Sequence, residues 1–210
     1  MKSKFLFVLL TLALAILACT LPFGGKDDFQ DDFSDVNSGW DRTEFEGGLT
    51  DYANVGYRIF VNLENWSAWA NPGRDFTDSS VTVEATKIGG DDQNEFGIIC
   101  RHANVDNFYL ATISSDGYYG FLKRENGESL QFLNMDSMLQ TDAINQGGST
   151  NTLRLDCIGS TLTLFVNGQF VGETTDAAIP SGDAGLYAGT FSVPGTDILF
   201  DNFVVTIPQE

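Results

Sequence analysis

The chain has 210 residues and a formal net charge of −18 at pH 7, with 29 Asp and Glu against 11 Lys and Arg. An acidic surface of this kind repels phosphate backbones and anionic lipid headgroups, which argues against nucleic acid as a partner. The length suits a single domain with a sizeable core.

The N-terminus predicts export. Lys2 and Lys4 precede an apolar run over 5–17, which is too short to span a bilayer comfortably and is typical of a secretory signal peptide over 1–18. The run ends in Ile-Leu-Ala-Cys, which resembles the bacterial lipobox and implies that Cys19 is lipidated and anchors the chain outside the cytoplasm. The alternative is an ordinary signal peptide that is cut elsewhere near Cys19.

The other two cysteines predict a disulfide. If Cys19 carries the lipid, Cys100 and Cys157 remain as an even pair in an exported chain, where disulfides persist. Both lie in strand-like runs, "EFGIICRH" and "LRLDCIGS". Two separate buried thiols are the alternative, because a free cysteine packs as a small hydrophobe.

Short alternating runs separated by Gly, Asn, Asp and Ser dominate the rest of the chain, which predicts an all-β protein. Asp116-Gly117 and Asn167-Gly168 are tight-turn signals between such runs. Only 137–144 suggests a turn of helix. About twelve strands in one domain predict two antiparallel sheets packed face to face over 31–207. The segment 19–30, with the lipidated cysteine, is predicted to be a short tether.

The second half of the chain resembles a known superfamily. "NTLRLDCIGSTLTLFVNGQFVGE", then "GDAGLYAGTF" and "FDNFVV", resemble the concanavalin A-like lectin and glucanase superfamily, including laminin G-like and keto-disaccharide hydrolase-like domains. "DDFSDVNSGW" resembles the first strand of bacterial extracellular members. The resemblance covers about 31–207 and implies a jelly-roll β-sandwich. It does not define a function, since this fold hosts lectins, glycosidases and adhesion modules.

The motifs of catalysis are missing from the sequence. Laminarinase-type members carry Glu-x-Asp-x-(x)-Glu on one strand, whereas Glu44 and Glu46 have no third acid here and Glu84 stands alone. His102 is the single histidine, and no Gly-x-Ser-x-Gly occurs, which disfavours a triad or a His-based zinc site. The sequence leans against an enzyme, although carboxylates from separate strands remain an alternative.

Calcium is the one cofactor that the resemblance implies. Many superfamily members hold calcium between their N-terminal and C-terminal strands, using acidic side chains and carbonyl oxygens. Asp31 or Asp32 with Asp201 are the candidates here. The alternative is that these carboxylates are only solvated.

Alternation along the strands gives candidate ligand contacts. One face of each strand must build the core, so at most half of the aromatic residues are exposed. We expect Arg101, Tyr109, Tyr119 and Lys123 on the concave sheet face. His102 is a candidate ligand contact, and a strand-end or loop residue without such a contact is the alternative. Trp66 and Trp69 lie in a turn-rich segment and are candidate stacking platforms for sugar rings. Packing against the core is the alternative for all of these aromatic residues.

We therefore predict a surface-anchored bacterial lipoprotein whose β-sandwich binds carbohydrate or cell-wall polymer without catalysis. The membrane contact is the lipid on Cys19. The alternatives are a glycoside hydrolase-like enzyme with non-standard carboxylates, and a structural or adhesion module that binds an unidentified protein.

Overall fold

The computed structural model describes residues 28–53 and 56–208. This part of the chain forms sixteen strands, more than the twelve or so predicted. It contains no helix, and therefore none that could cross a membrane. The segment 137–144, predicted as a helical turn, instead contains the short strand β11 and turns. The signal peptide and Cys19 lie outside the described residues.

The strands are β1 Phe29–Asp31, β2 Thr43–Phe45, β3 Gly48–Ala53, β4 Gly56–Val61, β5 Ser67–Ala70, β6 Ser79–Gly89, β7 Asn94–Asn104, β8 Asn107–Ile113, β9 Tyr118–Arg124, β10 Gln131–Phe132, β11 Leu139–Gln140, β12 Thr150–Ile158, β13 Thr161–Val166, β14 Gln169–Thr175, β15 Asp183–Thr190 and β16 Thr196–Thr206.

These strands form two antiparallel sheets, as predicted. The nine-stranded sheet has the order β14-β13-β12-β6-β16-β4-β3-β2, with β1 also paired to β16. The seven-stranded sheet has the order β10-β9-β8-β7-β15-β5, with β11 also paired to β9. Phe29 lies opposite Val205, so β1 begins inside the segment predicted as a tether. The first and last strands thus close the domain together.

The main core fills the space between the sheets. Ile98 and Cys100 on β7 and Leu153 and Leu155 on β12 belong to this one buried cluster. Burying each large aliphatic side chain contributes about 1.5–3 kcal/mol. The predicted disulfide is confirmed: Cys100 of the seven-stranded sheet is bonded to Cys157 of the nine-stranded sheet.

A second apolar cluster lies on the face of the seven-stranded sheet that points away from this core, called the outer face below. Ile99, Leu110 and Leu122 are direct neighbours across β7, β8 and β9 and form its middle row. Phe108 and Tyr187 complete the cluster, and Trp69 and Leu130 pack against it. Both faces of this sheet are therefore apolar, and the outer face carries the candidate site.

Candidate functional site

Three aromatic rings lie in contact on the outer face. The ring of Phe108 on β8 is 5.5 Å from the His102 ring and 5.6 Å from the Trp69 ring, measured between centroids. Trp69 belongs to β5, three strand spacings or ~14 Å from β8. The indole must therefore lie across the sheet surface, which makes a continuous aromatic row from the edge strand to β8.

Buried polar atoms without a hydrogen-bond partner surround this row. In the described part of the chain four such side-chain atoms exist, and three of them are Asn71 Oδ1, His102 Nε2 and Arg124 Nε. The registers place Arg124 opposite Phe108, and His102 opposite Asp183, at the same end of the face. An unpaired buried polar atom costs about 1–3 kcal/mol, and a ligand hydroxyl removes that cost.

A β-bulge brings His102 to this position. Arg101 has a φ of 51°, and the pairing register shifts between Cys100 and Asn104. The bulge breaks the alternation of β7, so His102 joins the outer face. Burial lowers the pKa of His102, with Asp41 opposing that shift. The imidazole is therefore neutral at pH 7, and a neutral ring has one nitrogen that accepts a hydrogen bond.

Asn71 is held in place by its neighbours. Its backbone N–H donates to Asp41 Oδ2 at 3.2 Å, and its side-chain Nδ2 donates to the Ala184 carbonyl at 3.2 Å. A Cβ atom on Gly185 would come within 2.3 Å of Nδ2, so glycine leaves the space that this amide occupies. Only 6% of Asn71 is exposed. Its free Oδ1 is thus a fixed acceptor.

Asp183 anchors the adjoining loop. Its Oδ2 accepts the Gly73 N–H at 2.7 Å, and its Oδ1 accepts the Ala184 N–H at 2.9 Å. Burial raises the pKa of Asp183 to about 6, although these backbone donors act in the opposite direction. Because both oxygens are engaged with the backbone, Asp183 positions the loop that carries Asn71.

The prediction that Arg101 faces the concave side is wrong. The bulge turns its side chain away from the outer face, and only 4% of the residue is exposed. The guanidinium donates to the carbonyls of Thr77, Ile179 and Gly159 and pairs with Asp78. It ties together three loops at one end of the sandwich.

Tyr109, Tyr119 and Lys123 also do not lie on the outer face, where the sequence predicted them. Tyr109 lies opposite Cys100, so it faces inward with the disulfide, and Lys123 lies opposite Tyr109. The Tyr109 hydroxyl donates to Asp176 Oδ1 at 2.6 Å, and Lys123 Nζ lies 2.9 Å from Asp176 Oδ2. Tyr119 packs against the main core. These groups hold the sheets together.

The two predicted tryptophans have different surroundings. Trp69 is half-buried on the outer face, whereas Trp66 is 52% exposed in the connection between β4 and β5. Both line a groove of about 280 Å³ at the sheet edge, together with Phe45, Thr43 and Thr50. Trp66 therefore lies beside the outer face rather than on it.

The proposed calcium ligands do not form a common cage. Asp31 Oδ1 accepts the Phe33 N–H at 2.8 Å, and its Oδ2 accepts Trp40 Nε1 at 2.9 Å. Asp32 accepts from Ser34, and Asp201 accepts from Asn202. Within 28–53 and 56–208 no group of three His, Cys, Asp or Glu side chains is arranged to hold a metal ion. Asp31 is a hydrogen-bonding centre of the N-terminal turn.

Of the residues around this aromatic row, the sequence predicts Trp69 and His102 as ligand contacts but gives no such prediction for Asn71, Phe108 and Arg124. Phe108 and Arg124 pair directly across β8 and β9, so the alternation that placed Tyr109 and Lys123 on one face also placed these two on the other. The alternation therefore groups Phe108 with Arg124, but the prediction placed the other pair, Tyr109 and Lys123, on the ligand-binding face. Asn71 sits in the turn after β5 and had no periodic signal.

No family model matches the sequence, and a search of curated proteins finds no match. Solved structures do share the fold. A family 66 carbohydrate-binding module from Bacillus subtilis is 17% identical with a TM-score of 0.65, covering 80% of this chain and 96% of that one. A galectin-like protein of unknown function from Bacillus subtilis is 12% identical with a TM-score of 0.60, covering 85% and 94%.

A Bacillus licheniformis β-glucanase is 11% identical with a TM-score of 0.60, covering 86% of this chain and 98% of that one. The fold is thus a concanavalin A-like jelly roll, as the resemblance in the sequence implied. At these identities the comparison defines the fold alone.

Proposed function

We propose that this protein is an exported lipoprotein, anchored through Cys19 on the outside of the cytoplasmic membrane, whose β-sandwich binds carbohydrate without catalysis. The observation that carries the proposal is the aromatic row of Trp69, Phe108 and His102 beside three unpartnered buried polar atoms. The carbohydrate-binding module and the β-glucanase among the structural neighbours support this choice of ligand.

The chemistry of the site suits the hydroxyl groups of a sugar. The apolar face of a sugar ring stacks on the half-buried Trp69. Side-chain movement on binding then lets Asn71 Oδ1 accept a hydrogen bond from one hydroxyl and Arg124 Nε donate to another. A hydroxyl both donates and accepts, so it also satisfies His102 Nε2. The net charge of −18 disfavours anionic polymers, so the ligand is a neutral glycan.

Two acids of the outer face, Glu95 and Asp183, lie at opposite ends of it. Glu95 on the outer face accepts the Tyr187 hydroxyl at 2.6 Å, and burial raises the pKa of Glu95. Glu95 lies opposite Gly189, six residues or ~20 Å along β15 from Asp183. Glycosidase carboxylates stand about 5–9.5 Å apart. These two acids are too distant to act as such a pair.

A polysaccharide panel tests the proposal. The chain from Lys26 to Glu210 is run through gels containing neutral β-glucans, xylan, mannan or starch, in calcium and in chelator, and bound ligands are quantified by calorimetry. We expect at least one neutral polysaccharide to bind. Trp69→Ala and Asn71→Ala should each weaken that binding tenfold or more, while Phe170→Ala, which removes an exposed aromatic ring from β14, should not.

Retention by none of the polysaccharides contradicts the proposed function. So does full binding by Trp69→Ala and Asn71→Ala chains that keep the wild-type melting temperature. The predicted calcium site is tested in the same gels: loss of binding in chelator would support a bound ion. The anchor is tested separately, because Cys19→Ser should move the chain from the membrane fraction to the soluble fraction.

A further inference from the structure

A second pocket lies at the tip of the β8–β9 hairpin. It has a volume of about 320 Å³, within the usual range for small-ligand sites. Four connections converge on it, those between β6 and β7, between β8 and β9, between β10 and β11, and between β15 and β16. Its lining residues are Gln93, Ser114, Asp116, Tyr118, Met138 and Phe191.

The walls of this pocket are fixed by a buried amide. Asn94 is fully buried, and its Nδ2 donates to the Asp91 carbonyl at 2.8 Å while its Oδ1 accepts the Ser115 N–H at 3.0 Å. The β6–β7 loop and the β8–β9 turn are thereby held together. Gly117 occupies the turn with a φ of 101°, and its carbonyl accepts the Thr141 N–H at 3.0 Å. A pocket with fixed walls loses little entropy on binding.

The lining pairs aromatic rings with hydroxyl-binding groups. Tyr118 and Phe191 are 37% and 38% exposed, although both are large aromatic residues. Asp116 accepts the Ser114 hydroxyl, which orients its carboxylate at the pocket, and Gln93 adds an exposed amide. Exposed rings beside polar acceptors suit a sugar, and the carboxylate repels an anionic one.

The pocket is separate from the site around Trp69. Along β9, Tyr118 and Arg124 are six residues or ~20 Å apart, and they mark opposite ends of the outer face. Trp69 is nearer to the pocket, because it lies opposite Tyr187, four residues or ~13 Å along the chain from Phe191. One monosaccharide cannot occupy both places, whereas different parts of one polymer can.

We propose that the Tyr118–Phe191 pocket is a second carbohydrate-binding site, so that each chain binds a neutral polysaccharide at two points. The choice of ligand rests on the proposed function. Two sites on one polymer raise the effective concentration at the second site, and polymers then bind more tightly than their fragments do.

Calorimetry with trisaccharides of β-1,3-glucan, β-1,4-glucan, β-1,4-xylan and β-1,4-mannan tests this inference. We expect two binding sites per chain for the trisaccharide that binds, and tenfold or more tighter binding of the parent polymer. The double variant Tyr118→Ala, Phe191→Ala should leave one site per chain and should bind the parent polymer no more tightly than the trisaccharide. Trp69→Ala should also leave one site, and Phe170→Ala should leave both. Melting temperatures establish that each variant is folded.

The possible failures are distinguishable. One site per chain, lost in Trp69→Ala and unchanged in the Tyr118 and Phe191 double variant, overturns the second site and leaves the proposed function intact. One site that is lost only in the double variant supports this pocket and contradicts the site around Trp69. Binding of no trisaccharide and no polymer overturns both proposals.

Discussion

The rings of Trp69 and Phe108 lie 5.6 Å apart although two strands, β15 and β7, separate the strands that carry them. This contact joins an edge strand from the first half of the chain to the central hairpin. Trp69 packs over the apolar cluster of the outer face. Asn71, His102 and Arg124 around this contact each have an unpaired polar atom. The candidate site depends on this long-range contact rather than on a local motif.

Arg101 is predicted to be a structural residue. Arg101→Ala removes donors to three loop carbonyls, so we expect it to lower the free energy of unfolding by about 3 kcal/mol. Arg42→Ala is the control, because it breaks an exposed pair with Asp51 that contributes little to stability. Urea denaturation measures both. If Arg101→Ala left stability unchanged but abolished glycan binding, the result would contradict this structural role and support the ligand contact predicted from the sequence.

Tyr109 should matter for stability and not for binding. Tyr109→Phe removes the hydroxyl that donates to Asp176 and accepts from the Ile179 N–H at 3.0 Å. We expect a loss of about 1–3 kcal/mol in urea denaturation, because both partners lose a bond in a largely buried place. Glycan affinity should stay within twofold. A tenfold loss of affinity without destabilisation would show that the inward assignment of Tyr109 is mistaken.

The disulfide should be a major source of stability. Cys100 and Cys157 are 57 residues apart. Closing a loop of that length lowers the entropy of the unfolded chain and raises its free energy by about 4 kcal/mol. The double variant Cys100→Ala, Cys157→Ala should lose a comparable amount in urea denaturation. A loss below about 1 kcal/mol would mean that the bond adds little to the packing between the sheets.

Asp183 should make stability depend on pH. Its folded pKa of about 6 is above the usual 3.8, so the folded state holds the proton more tightly than the unfolded state does. The stability from this group is therefore fully present below about pH 4 and is lost as the pH rises through about 6. The predicted decrease is on the order of 3 kcal/mol.

Asp183→Asn does not titrate, so its stability should lack this decrease. The measurement is the difference between wild type and variant in urea denaturation from pH 4 to pH 7, which cancels the contributions of other carboxylates. A difference that stays constant over this range, or that has the opposite slope, would contradict the raised pKa.

Much of the fold could be predicted from the sequence. Alternating runs and turn residues such as Asp116-Gly117 depend on local preferences, and they gave the two sheets and the central hairpin. The Cys100–Cys157 bond was predicted from the number of cysteines and the predicted export. Short strands such as β10 and β11 were missed because two residues carry no periodic pattern.

The site was harder to predict for a physical reason. Both faces of the seven-stranded sheet carry large apolar side chains, so alternation separates Tyr109 from Phe108 without telling which one faces the core. The bulge at Arg101 then reverses the alternation next to His102. The Arg101 side chain there contacts three loops, and no local pattern reveals such contacts.

The most direct test of the central claim is tryptophan fluorescence during titration with the neutral glycan that binds most tightly in the panel. Trp40 is buried, so Trp66 and Trp69 report on a ligand. The glycan should shift the emission of wild type and of Trp66→Phe, and the shift should disappear in Trp69→Phe. A shift that persists in Trp69→Phe, or that disappears only in Trp66→Phe, would contradict a binding site on the outer face of the seven-stranded sheet.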